Sequence, residues 1–441
     1  MKKFFLVVVT LFAMISDAFG VATAKCLGIS SKKLSNNVSV VFIDPEKNDE
    51  LLILFCVSSG SADEIVRRGV SNVLSKIFLK KLQAATKESG GECNSYVGFD
   101  QNVYYFFGKP KEIENYLKGF STTLHDFSAT DEDVTEIKNI TEQSLNQSNQ
   151  LDQKMLRSVA RRSLYLHSGY GIGFEGDLRS VKAISAQEVN EFKNANYMNS
   201  QLTIVIAGKI DQNAVVKMIE KYFPINNNEK AFERNRLKEP PHHNFVTKLT
   251  KRSSQVNVPV IEMYWRIPNY LEDPEEALAC DIFINVLDKI LSKKLIDELG
   301  LAASISFKYS FWNREYGDFC ITVTPKESGK INLLETAILS EIRFAAHEGI
   351  SEKDAAEAAK KLSESANYLQ QNIIDIADTF SKRMSSGYSY EFVRNFAEFS
   401  KKYKLDKVNE HAKEFFDKDP GVITIITPMR SNGESKNELQ M

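Results

Sequence analysis

The chain has 441 residues, more than one hydrophobic core usually supports, so at least two domains are expected. Apolar residues make up 43% of the sequence and charged residues 26%, which is typical of folded globular proteins and argues against a disordered chain. The formal net charge of -2 gives no reason to expect nucleic acid or an anionic membrane surface as a partner.

The N-terminus has the pattern of a secretory signal. It begins MKK, continues with the apolar run Phe4–Ile15, and reaches Ala22-Thr23-Ala24, which matches a small-residue cleavage site. The apolar run is too short to anchor the chain across a bilayer, and no later segment is long and apolar enough to span one. We therefore expect residues 1–24 to be removed, with Gly20 as a second cleavage position. The mature chain is expected outside the cytoplasmic membrane, in the periplasm if the source is a Gram-negative bacterium.

The stretch Leu52–Leu82 predicts a buried strand, a tight turn and an amphipathic helix. The apolar strand ends in the sequence SSGS, after which Asp63 and Glu64 supply the negative charge favoured at a helix N-terminus. Apolar residues then recur at spacings of three and four, which predicts one buried helical face. These residues are Val66, Val70, Val73, Leu74, Ile77 and Phe78.

The rest of the first half alternates between grouped strands and grouped helices. Its predicted strands are Val38–Ile43, Leu51–Val57, Cys93–Gly108 and Leu202–Gly208. Its predicted helices are Lys111–Asp126, Thr130–Asn149, Gln153–Leu166, a short helix that follows a capping box at Ser185–Glu188 and ends near Tyr197, and Asn213–Phe223.

A charged segment separates the two halves. Asn226–Asn244 contains few apolar residues and is interrupted by Pro240-Pro241, so we predict a linker at residues 226–248. Both halves end with a helix followed by an apolar strand, LTIVIAG in the first and GVITIIT in the second. This repetition predicts an internal duplication, with domains at residues 25–225 and 249–441. Strands grouped in pairs and helices grouped apart favour an α+β fold.

Four segments of the first half carry motifs in a characteristic order. They are Gly60–Glu64 with Gly69, Gly91–Ser95 with Asp100 and Tyr104, His167–Tyr170 with Gly176, and Asn199–Gly208. Together they resemble the pitrilysin/insulinase family of zinc metallopeptidases. The resemblance implies two homologous α+β domains, each an antiparallel-rich sheet with helices, facing each other in a clam-like arrangement.

Active members of that family carry H-x-x-E-H on the helix, where two histidines ligate Zn²⁺ and the glutamate acts as general base. At the aligned positions this chain has Asn72, Ser75 and Lys76. An amide is a poor zinc ligand, an unactivated hydroxyl is no base near neutral pH, and an ammonium repels the cation. The family's downstream glutamate falls near Glu142 or Gln143. The resemblance thus implies a degenerate site, with no catalytic residue, no metal ligand and no cofactor in this chain.

A second site of the family is also altered. Leu295–Ala303 fits the family segment L-R-E-x-x-G-L-A-Y, whose arginine and tyrosine hold the substrate carbonyl. Those two positions are Ile296 and Ala303, and neither side chain can donate a hydrogen bond. Arg314 and Tyr316 lie nearby but out of register. The substrate clamp is therefore predicted to be degenerate as well.

Asn94 and Ser95 occupy the edge strand that adds a bound peptide by β-augmentation in this family, so peptide binding is expected to persist there. Ordinary sheet pairing is the alternative. The leading hypothesis is a catalytically silent homologue that pairs with an active zinc-bearing paralogue as a heterodimer, with a homodimer as a further form. An active metallopeptidase with non-standard ligands and a stand-alone peptide-binding or scaffolding protein remain alternatives.

Overall fold

The computed structural model describes residues 26–46, 50–225, 239–240, 246–368 and 373–429. The predicted signal segment and most of the predicted linker lie outside these ranges. Within them the chain forms two α+β halves, each built on one sheet. None of the described helices is both long and apolar enough to cross a membrane.

The first sheet contains six strands in the order β1-β2-β6-β3-β5-β4. The strands are β1 (Cys26–Lys33), β2 (Ser39–Pro45), β3 (Leu51–Val57), β4 (Glu92–Val97), β5 (Asn102–Gly108) and β6 (Leu202–Ala207). Only the β2–β6 pair is parallel among these strands, so the sheet is rich in antiparallel pairing, as expected. Every residue of β3 is buried, which explains why its sequence is continuously apolar and does not alternate.

The helices of the first half pack mainly on one face of this sheet. They are α1 (Val70–Ala85), α2 (Ile113–Asp126), α3 (Asp131–Asn149), α4 (Asp152–Leu164), α5 (Leu178–Ala183), α6 (Ala186–Asn196) and α7 (Gln212–Tyr222). Helix α1 follows Gly69, whose φ of 92° lies in the left-handed region that favours glycine. The buried carboxylate of Glu64 accepts the backbone N–H groups of Gly69 and Ser71, each at 2.8 Å. These bonds hold the start of α1 in place.

The second half repeats the plan of the first. Its strands are β7 (Thr247–Ser253), β8 (Val260–Ile267), β9 (Ala302–Ser310), β10 (Gly317–Pro325) and β11 (Val422–Pro428). Its helices are α8 (Pro274–Ser292), α9 (Ile331–Glu348), α10 (Glu352–Tyr368), α11 (Ile373–Ser385), α12 (Tyr390–Phe399) and α13 (Leu405–Phe416). The order β7-β11-β8-β10-β9 matches β2-β6-β3-β5-β4, and the corresponding pairs share their parallel or antiparallel direction. The predicted duplication is therefore confirmed.

Each half covers the other half's sheet with one helix. Helix α11 of the second half packs on β2, β3 and β6, where Ile376 and Phe380 join the same core as Leu54 and Cys56. Helix α4 of the first half packs on β7, β8 and β11, where Leu164 joins a smaller cluster with Val422. The two halves thus face each other, as the clam-like expectation had it, but they are joined by a reciprocal exchange of helices.

Two parts of the predicted linker are ordered in the described residues. Strand β7 begins at Thr247, within residues 226–248, because an exposed edge strand with the sequence TKLTKRS resembles a solvated connection. Glu239 is also held in place: its carboxylate accepts the backbone N–H groups of Leu166 and His167 at 2.9 and 2.8 Å. The buried Glu239 side chain also pairs with Arg266 at 3.4 Å. This part of the segment is anchored between the two halves.

Candidate functional site

The candidate site lies between helix α1 and the edge strand β4. Asn72, Ser75 and Lys76 lie on one side of α1, and β4 is the last strand in the order of its sheet. Residues three and four positions apart share a helical face, so the three positions form one surface. The structure therefore brings together the three residues that the family motif would place there.

Ser75 faces the sheet. It is 1% exposed, and its Oγ lies 3.4 Å from Oγ of Ser95 on β4. Two further buried hydroxyls lie beside this contact. Tyr104 Oη lies 2.8 Å from Tyr197 Oη, and burial raises the pKa of both phenols. No carboxylate or imidazole among the described residues is hydrogen-bonded to Ser75, so nothing there would activate its hydroxyl.

Lys76 faces helix α3 and is half-buried. Its Nζ donates to Oγ1 of the buried Thr141 at 3.1 Å, and it forms no salt bridge with any described carboxylate. Burial lowers the pKa of Lys76, while the more distant Glu175 acts in the opposite direction. The ammonium thus sits in a partly desolvated position with a neutral partner.

The downstream position of the family's zinc site does not supply a carboxylate in this structure. The residue of α3 that contacts Lys76 is Thr141, whereas Glu142 lies 3.8 Å from Lys182 and Gln143 is exposed. A sequence alignment could not choose between neighbouring positions on this helix. The contact to Lys76 assigns the facing position to Thr141.

Asn72 completes the face and is 8% exposed, with no hydrogen-bond partner for its Oδ1 among the described residues. An amide oxygen, a serine hydroxyl, a threonine hydroxyl and an ammonium do not make a donor set that fits Zn²⁺, which takes thiolate, imidazole and carboxylate ligands. The residues present therefore do not fit the metal of the family motif.

The predicted peptide-binding residues lie on opposite faces of β4, and both are half-buried. Ser95 pairs with Tyr104 and faces α1, whereas Asn94 pairs with Tyr105. Oδ1 of Asn94 accepts the backbone N–H of Ser95 at 2.8 Å, and Gln83 Nε2 donates to the backbone carbonyl of Cys93 at 2.8 Å, so two backbone groups on the outer side of β4 already have side-chain partners. Within the described sheet, that edge of β4 has no neighbouring strand.

The predicted clamp positions lie at the corresponding edge of the second sheet. Ile296 is half-buried in the π-helical turn Lys293–Glu298 that continues α8, and Ala303 is exposed near the start of edge strand β9. Both side chains are apolar and offer no donor there. By the equivalence of the two sheets, β9 corresponds to β4.

One arginine that the sequence interpretation set aside proves to be a central contact. Arg314 has a side chain 2% exposed, and its Nη1 lies 3.3 and 3.2 Å from the two carboxylate oxygens of Asp63. Its Nη2 donates to the backbone carbonyls of Ser58 at 3.2 Å, Ser385 at 3.1 Å, and Asp100. Burial opposes the charge, but Asp100 and Asp63 outweigh it and raise the pKa of Arg314.

The same cluster holds several residues that carried the resemblance. Asp100 accepts the Arg314 backbone N–H at 2.9 Å and the Tyr170 hydroxyl at 2.7 Å, and the Tyr170 hydroxyl accepts the Glu315 N–H at 3.1 Å. These motif residues therefore join the two halves. In the sequence, Arg314 stands out only as a charged residue within the aromatic segment FWNREY. That pattern does not identify the residues that it contacts.

One described group could hold a metal ion by distance alone. Glu276, His411 and Glu414 offer ligand atoms within 4.8 Å of one another. His411 Nδ1 lies 3.6 Å from Glu276 and 3.8 Å from Glu414, and Glu414 is largely exposed. This group lies in the second half, on α8 and α13.

Comparisons with known proteins identify the family. Residues 39–171 match the family model "Insulinase (Peptidase family M16)", and residues 183–362 match the model "Peptidase M16 inactive domain". The chain is an M16 insulinase-family peptidase homologue. This confirms the family and the two-domain α+β fold indicated by the sequence.

Individual relatives of this M16 homologue are distant. An "Uncharacterized zinc protease" of Rickettsia felis is 19% identical over 402 residues, 87% of this chain and 94% of that protein. The "Mitochondrial-processing peptidase subunit beta" of Caenorhabditis elegans is 18% identical over 142 residues, 32% of this chain and only 31% of that protein. A crystal structure of a "putative M16-like peptidase" from Alicyclobacillus acidocaldarius has a TM-score of 0.78 at 20% identity, covering 91% of this chain and 98% of that one.

Proposed function

We propose that this M16 homologue is a catalytically silent, peptide-binding subunit that pairs with an active zinc peptidase of the same family outside the cytoplasmic membrane. The observation that carries the proposal is the face of α1, where Lys76 donates to Thr141 at the position of a zinc ligand. A metal ligand must offer a lone pair, and an ammonium has none.

The residues at the general-base position and at the substrate-clamp positions also lack the groups that catalysis requires. The hydroxyl of Ser75 contacts another hydroxyl, which cannot take its proton at neutral pH. Ile296 and Ala303 offer no donor to a substrate carbonyl. The active-metallopeptidase alternative would need three new ligands around Lys76, so the donor set disfavours it.

Peptide binding is supported by the edge of the first sheet. An unpaired strand edge presents backbone N–H and C=O groups that an extended peptide can pair with. Strand β4 is the edge strand of the described sheet, and its half-buried side chains lie beside α1. A bound peptide would replace the side-chain bonds that Gln83 and Asn94 make to the backbone of β4. The edge persists although the residues for chemistry are replaced, which favours binding over hydrolysis.

Pairing is supported by the kind of relative that the chain resembles. One relative is named as a subunit of a processing peptidase, and one matching family model is described as an inactive domain. A silent chain that binds peptide contributes to proteolysis only beside an active one. A heterodimer with a zinc-bearing paralogue therefore fits the proposal better than a stand-alone scaffold.

The test is co-expression of the mature chain with an M16 zinc peptidase from the same genome. Native mass spectrometry should detect a one-to-one complex, and metal analysis should assign its zinc to the paralogue. Hydrolysis of a fluorogenic peptide should require the paralogue's own H-x-x-E-H motif. A persistent monomer would contradict pairing. About one tightly bound zinc in this chain alone, lost on changing Ser75 or Lys76, would contradict catalytic silence.

A further inference from the structure

Three side chains of metal-ligating type meet between helices α8 and α13 of the second half. Nδ1 of His411 lies 3.6 Å from Oε1 of Glu276 and 3.8 Å from Oε2 of Glu414, and the three groups offer ligand atoms within 4.8 Å of one another. His411 and Glu414 are three residues apart on α13, so they share one helical face, and Glu276 lies in the first turn of α8. An imidazole and two carboxylates from two helices thus converge on one point.

The spacing of these atoms fits a shared ion better than direct hydrogen bonds. A hydrogen bond from a ring nitrogen to a carboxylate oxygen spans about 2.7–3.2 Å, so both distances from His411 are too long. Two ligands of a tetrahedral Zn²⁺, each about 2.0–2.2 Å from the ion, lie about 3.4 Å apart. Small rotations of the two glutamate side chains are therefore enough to bring the three ligand atoms around one ion.

The ring of His411 supplies a second, independent observation. Its Nδ1 is shielded from solvent and has no hydrogen-bond partner among the described residues. A buried nitrogen without a partner is uncommon in a folded protein and requires an explanation. In the neutral imidazole this nitrogen can carry a lone pair, and the ionised carboxylates that face it have no proton to donate. A metal cation between them satisfies the nitrogen and both carboxylates at once.

The two carboxylates have no competing cationic side chain in the described part of the chain. Neither Glu276 nor Glu414 pairs there with a lysine or an arginine, and the ion-pair partner of each is His411. Glu410, four residues before Glu414 on α13, differs in this respect, because it pairs with Lys407 at 2.6 Å. The side chain of Glu414 is 57% exposed, so an ion and its bound water have access from solvent.

Helix packing holds the three groups in place. The rings of Phe283 on α8 and Phe416 on α13 stack with centroids 5.1 Å apart, and Ala277 and Ala412, which adjoin the ligand positions, are fully buried. Ligands carried by packed helices are positioned more precisely than ligands carried by loops.

We propose that Glu276, His411 and Glu414 bind Zn²⁺ or a similar divalent transition-metal ion, which acts as a clip between α8 and α13. Imidazole and carboxylate ligands suit such ions, whereas Ca²⁺ and Mg²⁺ prefer oxygen ligands and do not favour an imidazole. Water completes the coordination. None of the three residues lies on α1 or α3, so the site is separate from the family motif and does not depend on the proposed function. The sequence-based expectation of no metal ligand concerned that motif.

The experiment measures Zn²⁺ binding by the mature chain after chelation and dialysis. Isothermal titration with zinc chloride should detect one site per chain, and calcium or magnesium chloride should not. Thermal unfolding should shift to higher temperature as zinc is added, because an ion bound by the folded state stabilises it. With three protein ligands and an exposed side, the site should release its zinc on dialysis, whereas the zinc of a paralogue's H-x-x-E-H motif should be retained.

Matched variants make the result specific to the clip. His411→Gln and Glu276→Gln each remove one ligand, one from each helix, and should abolish the thermal shift. Each should weaken zinc binding by at least about 100-fold, the upper end of what loss of an outer-shell group costs. His347→Gln is the control, because His347 lies on α9 of the same half and pairs with Asp417 at 2.8 Å. It should bind zinc as the wild type does, and thermal unfolding without zinc verifies that every variant keeps its fold.

Each result decides a different point. One zinc site that is lost in both ligand variants and kept in His347→Gln supports the clip. Binding that survives in His411→Gln, or that is lost equally in His347→Gln, overturns the assignment of the site. Binding that depends on His411 but not on Glu276 overturns the connection between the two helices. Absence of a saturable zinc site in the wild-type chain overturns the inference as a whole and leaves the proposed function unaffected.

Discussion

Replacing Arg314 with methionine should destabilise the protein more than the same replacement of an arginine in a surface ion pair. The substitution leaves the carboxylates of Asp63 and Asp100 buried without their cation, since those side chains are only 8% and 5% exposed. Removing one partner of a buried ion pair costs about 3–5 kcal/mol. Asp63 keeps a bond from the Gly60 N–H at 3.0 Å, and Asp100 keeps the Tyr170 hydroxyl. We therefore expect a loss in the lower part of that range, about 3–4 kcal/mol.

The assay is equilibrium unfolding in urea, followed by far-UV circular dichroism and by the fluorescence of the two tryptophans, Trp265 and Trp312. Arg343→Met is the control, because Arg343 pairs with Asp419 at the surface, with side chains 44% and 33% exposed. That change should cost less than about 1 kcal/mol.

Arg314→Lys keeps the charge but lacks the planar fork of five donors, so it should fall between the wild type and Arg314→Met. A double-mutant cycle with Asp63→Asn should give a cost well below the sum of the two single changes, because the pair is lost once. If Arg314→Met were no more destabilising than Arg343→Met, the view of this cluster as the contact that joins the halves would be refuted.

Three further predictions follow from other described contacts. Burial raises the pKa of Asp281 to about 7, so between about pH 4 and pH 7 the folded state holds a proton that the unfolded chain releases, and stability falls as pH rises through that window; Asp281→Asn should flatten this slope in urea titrations. Phe380→Ala should cost about 3–5 kcal/mol in the same titration, whereas Phe344→Ala, 63% exposed, should cost less than about 1 kcal/mol. Restoring H-x-x-E-H on α1 together with Thr141→Glu should create tight zinc binding, measured by equilibrium dialysis. The same H-x-x-E-H variant with Thr141 unchanged should bind zinc weakly, because Glu142 lies beside Lys182 and does not replace the missing ligand.

Local patterns in the sequence predicted the elements that depend on local physics. Strand β3 follows from its continuous apolar residues, and helix α1 from periodic apolar residues. The helix begins only at Val70, however, and Val66, which was predicted on its buried face, precedes it and is 79% exposed. The capping box at Ser185 and Glu188 is present, with bonds of 3.2 and 2.9 Å. The spacing of the family motif in the sequence also predicts that Asn72, Ser75 and Lys76 lie on a common face of α1. These features involve residues that lie close together in the chain.

Contacts between distant residues were not predictable in the same way. Strand β7 is a charged edge strand, and its pairing with β11 joins residues far apart in sequence. Arg314 contacts Asp63 and Ser385, which lie 251 and 71 residues away, and no periodicity encodes such partners. The choice of Thr141 over Glu142 at the site depends on the rotation of α3 about its axis. That rotation is set by packing against α1 and cannot be obtained from spacing alone.

The reciprocal exchange of helices has a consequence for how the chain is made. When the first half leaves the ribosome, the face of its sheet formed by residues such as Leu54 and Cys56 has no cover until α11, more than 300 residues later, has been synthesised. Contacts with such long sequence separation form slowly, and an uncovered apolar sheet face is prone to aggregation. The first half is therefore a poor candidate for independent expression. Its newly synthesised form should depend on a holdase chaperone until the rest of the chain arrives.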